Sequence, residues 1–243
     1  MTVVWKERKM TMRGYYGYYY DPTYILVLIG AVLCMLASFR VNSTFKKYNK
    51  VRSRSNMTGA QAAAELLQKN GIYDVQIEHV SGNLTDHYDP RAKVLRLSDA
   101  TYGSHSVAAI GVAAHECGHA IQHNEEYMPL KIRSAIVPLA NFGCRFGIPI
   151  ILLGLVLGQF FIELGIWVFA LSVLFQIITL PVEFNASNRA VALLEDYGIL
   201  DGEENRQCKK VLRAAALTYV AAAASSVLQL LRLVMLFGNR RDD

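Results

Sequence analysis

FGIPIILLGLVLGQFFIELGIWVFALSVLFQIITLPV, residues 146–182, holds a single charged side chain, Glu163. Two soluble helices of this length would each turn a polar face to water, and the run has no such face. A bilayer core is crossed by about 20 apolar residues in helical form. The run is too long for one crossing and suits two. It predicts a transmembrane helical hairpin over residues 146–180, built from Phe146–Ile162 and Leu164–Leu180 and turning near Glu163–Gly165.

Working outward, two further segments are apolar. Residues 22–39 carry no charge and predict a first transmembrane helix. The alternative, a signal peptide, lacks a small-residue cleavage site after the apolar core. The preceding YYGYYYDPTY, residues 15–24, reads as an interfacial belt of tyrosines in a tail over residues 1–21. Residues 214–237, with Ala214–Leu231 between two arginines, predict a C-terminal helix that either spans or is buried, ahead of a tail over 238–243. Its Ala and Ser content suits close helix packing in lipid.

Composition agrees. Apolar residues make up 53% and charged ones 19%, with a mean hydropathy of +0.22, against about 25% charged in soluble domains. This excludes a disordered chain and argues against a wholly soluble one. The net charge of +5 is too small to imply a nucleic-acid partner; the expected partner is a lipid bilayer. Cys34, Cys117, Cys144 and Cys208 form no C-x-x-C pair, so neither a disulfide scaffold nor a cysteine metal site is expected. Lys and Arg cluster after the first span (Arg40, Lys46, Lys47, Lys50, Arg52, Arg54) and after the hairpin (Arg189, Arg206, Lys209, Lys210, Arg213), while the hairpin turn has none. The positive-inside rule then places residues 40–145 and 181–213 in the cytoplasm. Lys6, Arg8, Lys9 and Arg13 pull mildly the other way.

The polar part, residues 40–145, reads as a small α+β unit. Thr58-x-x-Gln61 is a capping box opening a helix that Gly71 ends. Asp74–Val80 and Lys93–Ser98 alternate like strands and predict a short antiparallel pair. DHYDP, residues 86–90, reads as the turn between them, with His87 and Asp89 at its tip. Ser106 suits the cap of a helix running through Gln122.

That helix contains His115-Glu116-Cys117-Gly118-His119, an H-E-x-x-H motif. Residues four apart share a helix face, so the two imidazoles can hold one zinc ion with Glu116 in reach of its water. Catalytic zinc takes three protein ligands and an open position. His123 is a poor third ligand, because residues i and i+8 lie about 12 Å apart along the axis; it suits a supporting role at the helix end. Glu183 is either the third ligand or simply a first-turn carboxylate on a helix from Pro181 to Gly198. Ser187, one turn on, could hydrogen-bond a ligand histidine or only pack. His105, Tyr102, Arg189 and Tyr197 are candidates for stabilising an oxyanion, and Val94–Ser98 could pair with an extended substrate. Cys117 points away from both imidazoles and reads as a packing residue.

DHYDP, LRLSDATY and SVAAIGVAAHECGHAIQH together resemble the YugP-like bacterial membrane zinc metallopeptidases, over most of the chain from about residue 24. The EFNAS segment at Glu183 is also similar to the E-F-x-A-D segment of the HtpX-type membrane gluzincins, in which the Glu is the third zinc ligand. This chain departs from them at Ser187, where they carry Asp. The resemblance implies a mainly α integral membrane protein with a zincin-like catalytic part, its H-E-x-x-H helix packed near a short antiparallel sheet. It implies one zinc per chain on His115, His119 and Glu183, with Glu116 as general base, in a cytoplasm-facing endopeptidase. The substrate class is read instead from the hairpin between His119 and Glu183, which sets the metal near the ends of the membrane helices and suits membrane or juxtamembrane protein segments. Residues 181–213 would then be the third-ligand helix and linker. The competing expectations are a zinc-stabilised scaffold without activity, in which a general base has no use, and a zinc hydrolase of lipid or peptidoglycan amides.

Overall fold

The computed structural model describes residues 21–238. The N-terminal cations and most of the tyrosine run lie outside the described residues, as does most of the C-terminal tail. Four long helices, α1 (Tyr24–Tyr48), α4 (Met128–Leu157), α5 (Gln159–Asp196) and α6 (Glu203–Phe237), are long and apolar enough to cross a membrane. Even α1, with 25 residues, spans about 37 Å against a hydrocarbon core of about 30 Å. Their outward faces carry large apolar side chains, with Phe39, Val156 and Trp167 each more than two-thirds exposed. Such surface is costly in water and costs nothing against lipid tails.

A smaller unit sits between α1 and α4. It comprises α2 (Gly59–Lys69), β1 (Gln76–Val80), β2 (His87–Asp89), β3 (Val94–Ser98) and α3 (Val107–Asn124). Thr58 Oγ1 accepts from the Gln61 backbone N–H and Gln61 Oε1 accepts from the Thr58 N–H, so two orphan donors at the start of α2 are satisfied. Ser106 Oγ does the same for the Ala109 N–H of α3. Leu66, Leu95, Leu97, Ile110 and Ala114 form its core, together with Leu194 of α5 and Leu212 of α6. The long helices thus run past their apolar zone and become walls of the polar unit.

Three expectations need correction. The hairpin turns at Gly158, not at Glu163–Gly165: its φ of +114° suits glycine, and α5 begins at once with Gln159. No helix starts at Pro181. α5 passes through it, so Glu183 lies well inside a helix of 38 residues rather than in a first turn. The sheet is mixed, in the order β1-β3-β2: β1 pairs with β3 in parallel and β2 pairs with β3 in antiparallel fashion. DHYDP supplies that extra strand. Asp89 accepts from the N–H groups of Arg91 and Ala92, which tightens the turn into β3 and folds His87–Asp89 back along it. A strand of three residues is too short to show alternation.

The approach of α5 to α3 depends on Gly118. A Cβ there would lie 2.7 Å from the Ala186 carbonyl oxygen. Gly118→Ala is expected to lower stability by about 1–3 kcal/mol, read as a drop in Tm. Gly103→Ala, where a Cβ meets nothing within 4 Å, should leave Tm unchanged.

Candidate metal centre

α3 is an apolar helix with one polar stripe. Its VAAHECGHAIQ run buries alanines and Cys117 on the faces toward α2 and α6. Burial pushes the Cys117 thiol up, and its Sγ faces the Ala63 carbonyl at 3.6 Å. It is a packing group turned away from the histidines. The other face presents His115, Glu116 and His119 to α5.

The His115 and His119 rings lie 4.8 Å apart between centroids, nearly perpendicular. Glu183 comes from α5 and is almost fully buried. Its Oε2 lies 3.4 Å from His115 Nε2 and 3.6 Å from His119 Nε2. One ligand atom from each residue falls within 4.8 Å of the others, a grouping that could hold a metal ion. The chemistry of the gap fits one. Glu183 Oε2 is buried with no hydrogen-bond partner, an expensive arrangement unless a cation sits between it and the imidazoles. Two imidazoles and a carboxylate are a donor set suited to zinc. Its other oxygen, Oε1, meets Arg133 Nη1 of α4 at 3.3 Å.

The remaining ring nitrogens are held. His115 Nδ1 lies 3.1 Å from Ser187 Oγ. His119 Nδ1 lies 3.0 Å from Gln122 Oε1, and the Gln122 amide donates to the Val182 carbonyl and to Asn185 Oδ1. These contacts leave both Nε2 atoms directed at Glu183. Burial lowers the His119 pKa, but the Glu183 and Glu116 carboxylates and Gln122 outweigh it, and the net shift is upward. Glu116 Oε2 accepts the backbone N–H of Tyr88 at 3.0 Å, so β2 lies directly against the motif helix.

The other sequence candidates lie elsewhere. His105 Nδ1 faces the Asn56 carbonyl at 2.8 Å, away from the cleft. His123 Nδ1 bonds the Tyr88 hydroxyl at 2.9 Å, outside the ligand group. Burial pushes that phenol up to about 12, so it remains a neutral hydroxyl. Arg189 pairs with Glu125 and donates to Asn185 Oδ1, which connects it to His119 only through Gln122. Tyr102 stacks edge-on against His79, and Tyr197 lies beneath Lys69. The cleft is lined instead by Arg133 of α4 and Tyr219 of α6, together with His87 and Tyr88. Sequence reasoning missed Arg133, Tyr219 and Gln122. Gln122, three residues after His119 on one face, was within its reach; Arg133 and Tyr219 arrive from other helices, α4 and α6. β3 is flanked on both sides, so the outward strand near the site is β2, not Val94–Ser98.

A family described as "putative neutral zinc metallopeptidase" matches residues 23–238. The chain is also 49% identical over 222 residues to the "Putative membrane protease YugP" of Bacillus subtilis (strain 168), covering 90% of this chain and 99% of that protein. No solved structure matches it. With a match across nearly the whole chain, and a donor set suited to zinc at its centre, the protein belongs to this zinc metallopeptidase family.

Proposed function

We propose that the chain is a multi-pass membrane endopeptidase that holds one zinc ion on His115, His119 and Glu183. The observation that carries this reading is the buried, unpartnered Glu183 Oε2 facing two imidazole Nε2 atoms. Zinc at that position would supply a Lewis acid for a peptide carbonyl and acidify water. Glu116 accepts the proton of the attacking water on its carboxylate and passes it to the leaving amine. The Tyr88 N–H keeps that carboxylate turned toward the cleft. Arg133 fixes Glu183 Oε1, which commits Oε2 to the ion. The Arg133 guanidinium and the Tyr219 hydroxyl are the donors in place for a developing oxyanion, the role first sought in His105, Tyr102, Arg189 and Tyr197.

Substrate class follows from the walls. Leu130, Ser134 and Val137 of α4 line the cleft, on a helix that continues into the apolar zone. A peptide reaching Glu116 therefore passes along a membrane helix, which suits membrane or juxtamembrane protein segments. The outer edge of β2 offers the main chain of an extended substrate a partner. The Lys and Arg clusters support a cytoplasmic position for this side. A scaffold role gives no use to Glu116, which ligates nothing in this arrangement.

Protein purified in detergent should carry about one zinc per chain. Glu116→Gln is expected to keep its metal and lose about 10²–10⁴-fold in turnover of a membrane-anchored unstructured substrate; equal turnover removes Glu116 from the reaction. Glu183→Ala should lose metal, and full zinc content in that variant overturns the ligand set. Gln122→Ala and Ser187→Ala should each weaken zinc affinity about 10–100-fold.

The raised His119 pKa adds a pH signature. In metal-stripped protein its protonation stabilises the fold fully below about 6.5, the ordinary imidazole value. That stability is lost as pH rises through the raised folded value. Zinc requires the neutral ring, so its affinity rises with pH. Tm of stripped protein should fall as pH rises above about 6.5, and Tm of zinc-loaded protein should rise. Parallel trends in the two forms contradict the assignment.

A further inference from the structure

Two cavities adjoin each other where α1, α5 and α6 leave the apolar zone. One, of ≈ 400 Å³, is lined by Arg40 and Lys47 of α1 and by Lys210 and Arg213 of α6. The second, of ≈ 350 Å³, shares Arg40, Arg213 and Leu217 with the first and adds Lys209, Phe184 and Val220. Among the described residues no acidic side chain lines either. All five cations are exposed. Among the described residues none of them forms a salt bridge, while the nearby acids at the start of α6 are engaged by Arg54 and Arg206. Like charges gathered at one place repel, and a bound anion relieves them.

The floor supplies the second half of the chemistry. Phe184, Leu217 and Val220 are 43%, 40% and 38% exposed, on helices whose further turns are apolar. A nucleic acid or an acidic peptide would leave that floor wet. An amphiphile with an anionic head and a hydrocarbon tail satisfies both parts at once. α1 and α6 are antiparallel, as the Asp21–Arg232 pair at the far end requires, so Arg40 and Arg213 meet at the polar end of the pair.

We propose that these joined cavities bind one anionic phospholipid of the surrounding bilayer, its phosphate between Arg40 and Arg213 and an acyl chain along Phe184, Leu217 and Val220. The site lies behind the metal centre: Ser187, which bonds His115 Nδ1, lines the same apolar groove.

The test uses the full chain, delipidated in detergent and followed by native mass spectrometry. Phosphatidylglycerol, phosphatidylcholine and glycerol 3-phosphate are titrated separately. Retention of phosphatidylglycerol alone is expected. Equal binding of phosphatidylcholine, or glycerol 3-phosphate binding as tightly as the lipid, overturns the proposal. Arg40→Gln with Arg213→Gln should weaken phosphatidylglycerol at least about tenfold, and Lys47→Gln with Lys210→Gln should also weaken it. Arg40→Lys with Arg213→Lys should retain most of the binding. Lys46→Gln with Lys50→Gln removes the same charge from positions lining neither cavity and should change nothing. Equal loss in this last pair means diffuse attraction to a charged surface and sinks the site.

Discussion

A carboxylate that is 2% exposed does not remain ionised in a protein interior without compensation. Glu183 meets a guanidinium from α4 on one oxygen, and on the other it faces the imidazole pair of α3 across the gap proposed for a cation. Three consecutive helices are therefore tied to one side chain. The arrangement is also unforgiving, because a buried charge that loses one partner costs more than the pair contributes. That constraint explains why the surrounding polar groups are so fully used. Gln122 spends its amide on α5 and its carbonyl on His119, joining the two helices in the same act that orients a ring.

Delivery of Glu183 rests on the continuity of α5. A helix interrupted at Pro181 would hang its last turns from a hinge, and the carboxylate would sample positions away from the imidazoles. Instead Val182, Ala186, Ala190 and Leu194 are fully buried along one face and seat the helix on α3. That packing offsets the hydrogen bond that Pro181 cannot make. Gly118 is the counterpart on α3: removing the side chain at the crossing allows the backbones to approach closely enough for the Glu183 carboxylate to face the imidazoles.

Much of this was legible in the sequence, and the limits are physical. Charge-free runs of membrane length announced the apolar helices, because nothing else keeps so many apolar side chains together. The capping box at Thr58 and the cap at Ser106 are local hydrogen-bond patterns and needed no tertiary knowledge. The H-E-x-x-H pair is likewise local. Pro181 misled the reading, since a proline looks like a boundary unless the packing that carries a helix past it is known. β2 escaped because three residues show no period, and its strand character comes from Asp89 and from β3. Arg133 and Tyr219 belong to helices whose sequence reports membrane character and says nothing of which side chains turn toward α3.

Ser187 connects these observations to reactivity. The similar gluzincins carry Asp at this position, and a carboxylate there adds a negative charge behind a ligand imidazole. Here a neutral hydroxyl holds His115 Nδ1, so the orienting contact is kept without the charge. With zinc bound as proposed, the ion and Arg133 contribute three positive charges against two from Glu183 and Glu116. The centre is left net cationic. A surplus positive charge favours the negative oxygen that develops during amide attack more than it favours the neutral substrate, which is the difference that accelerates a reaction.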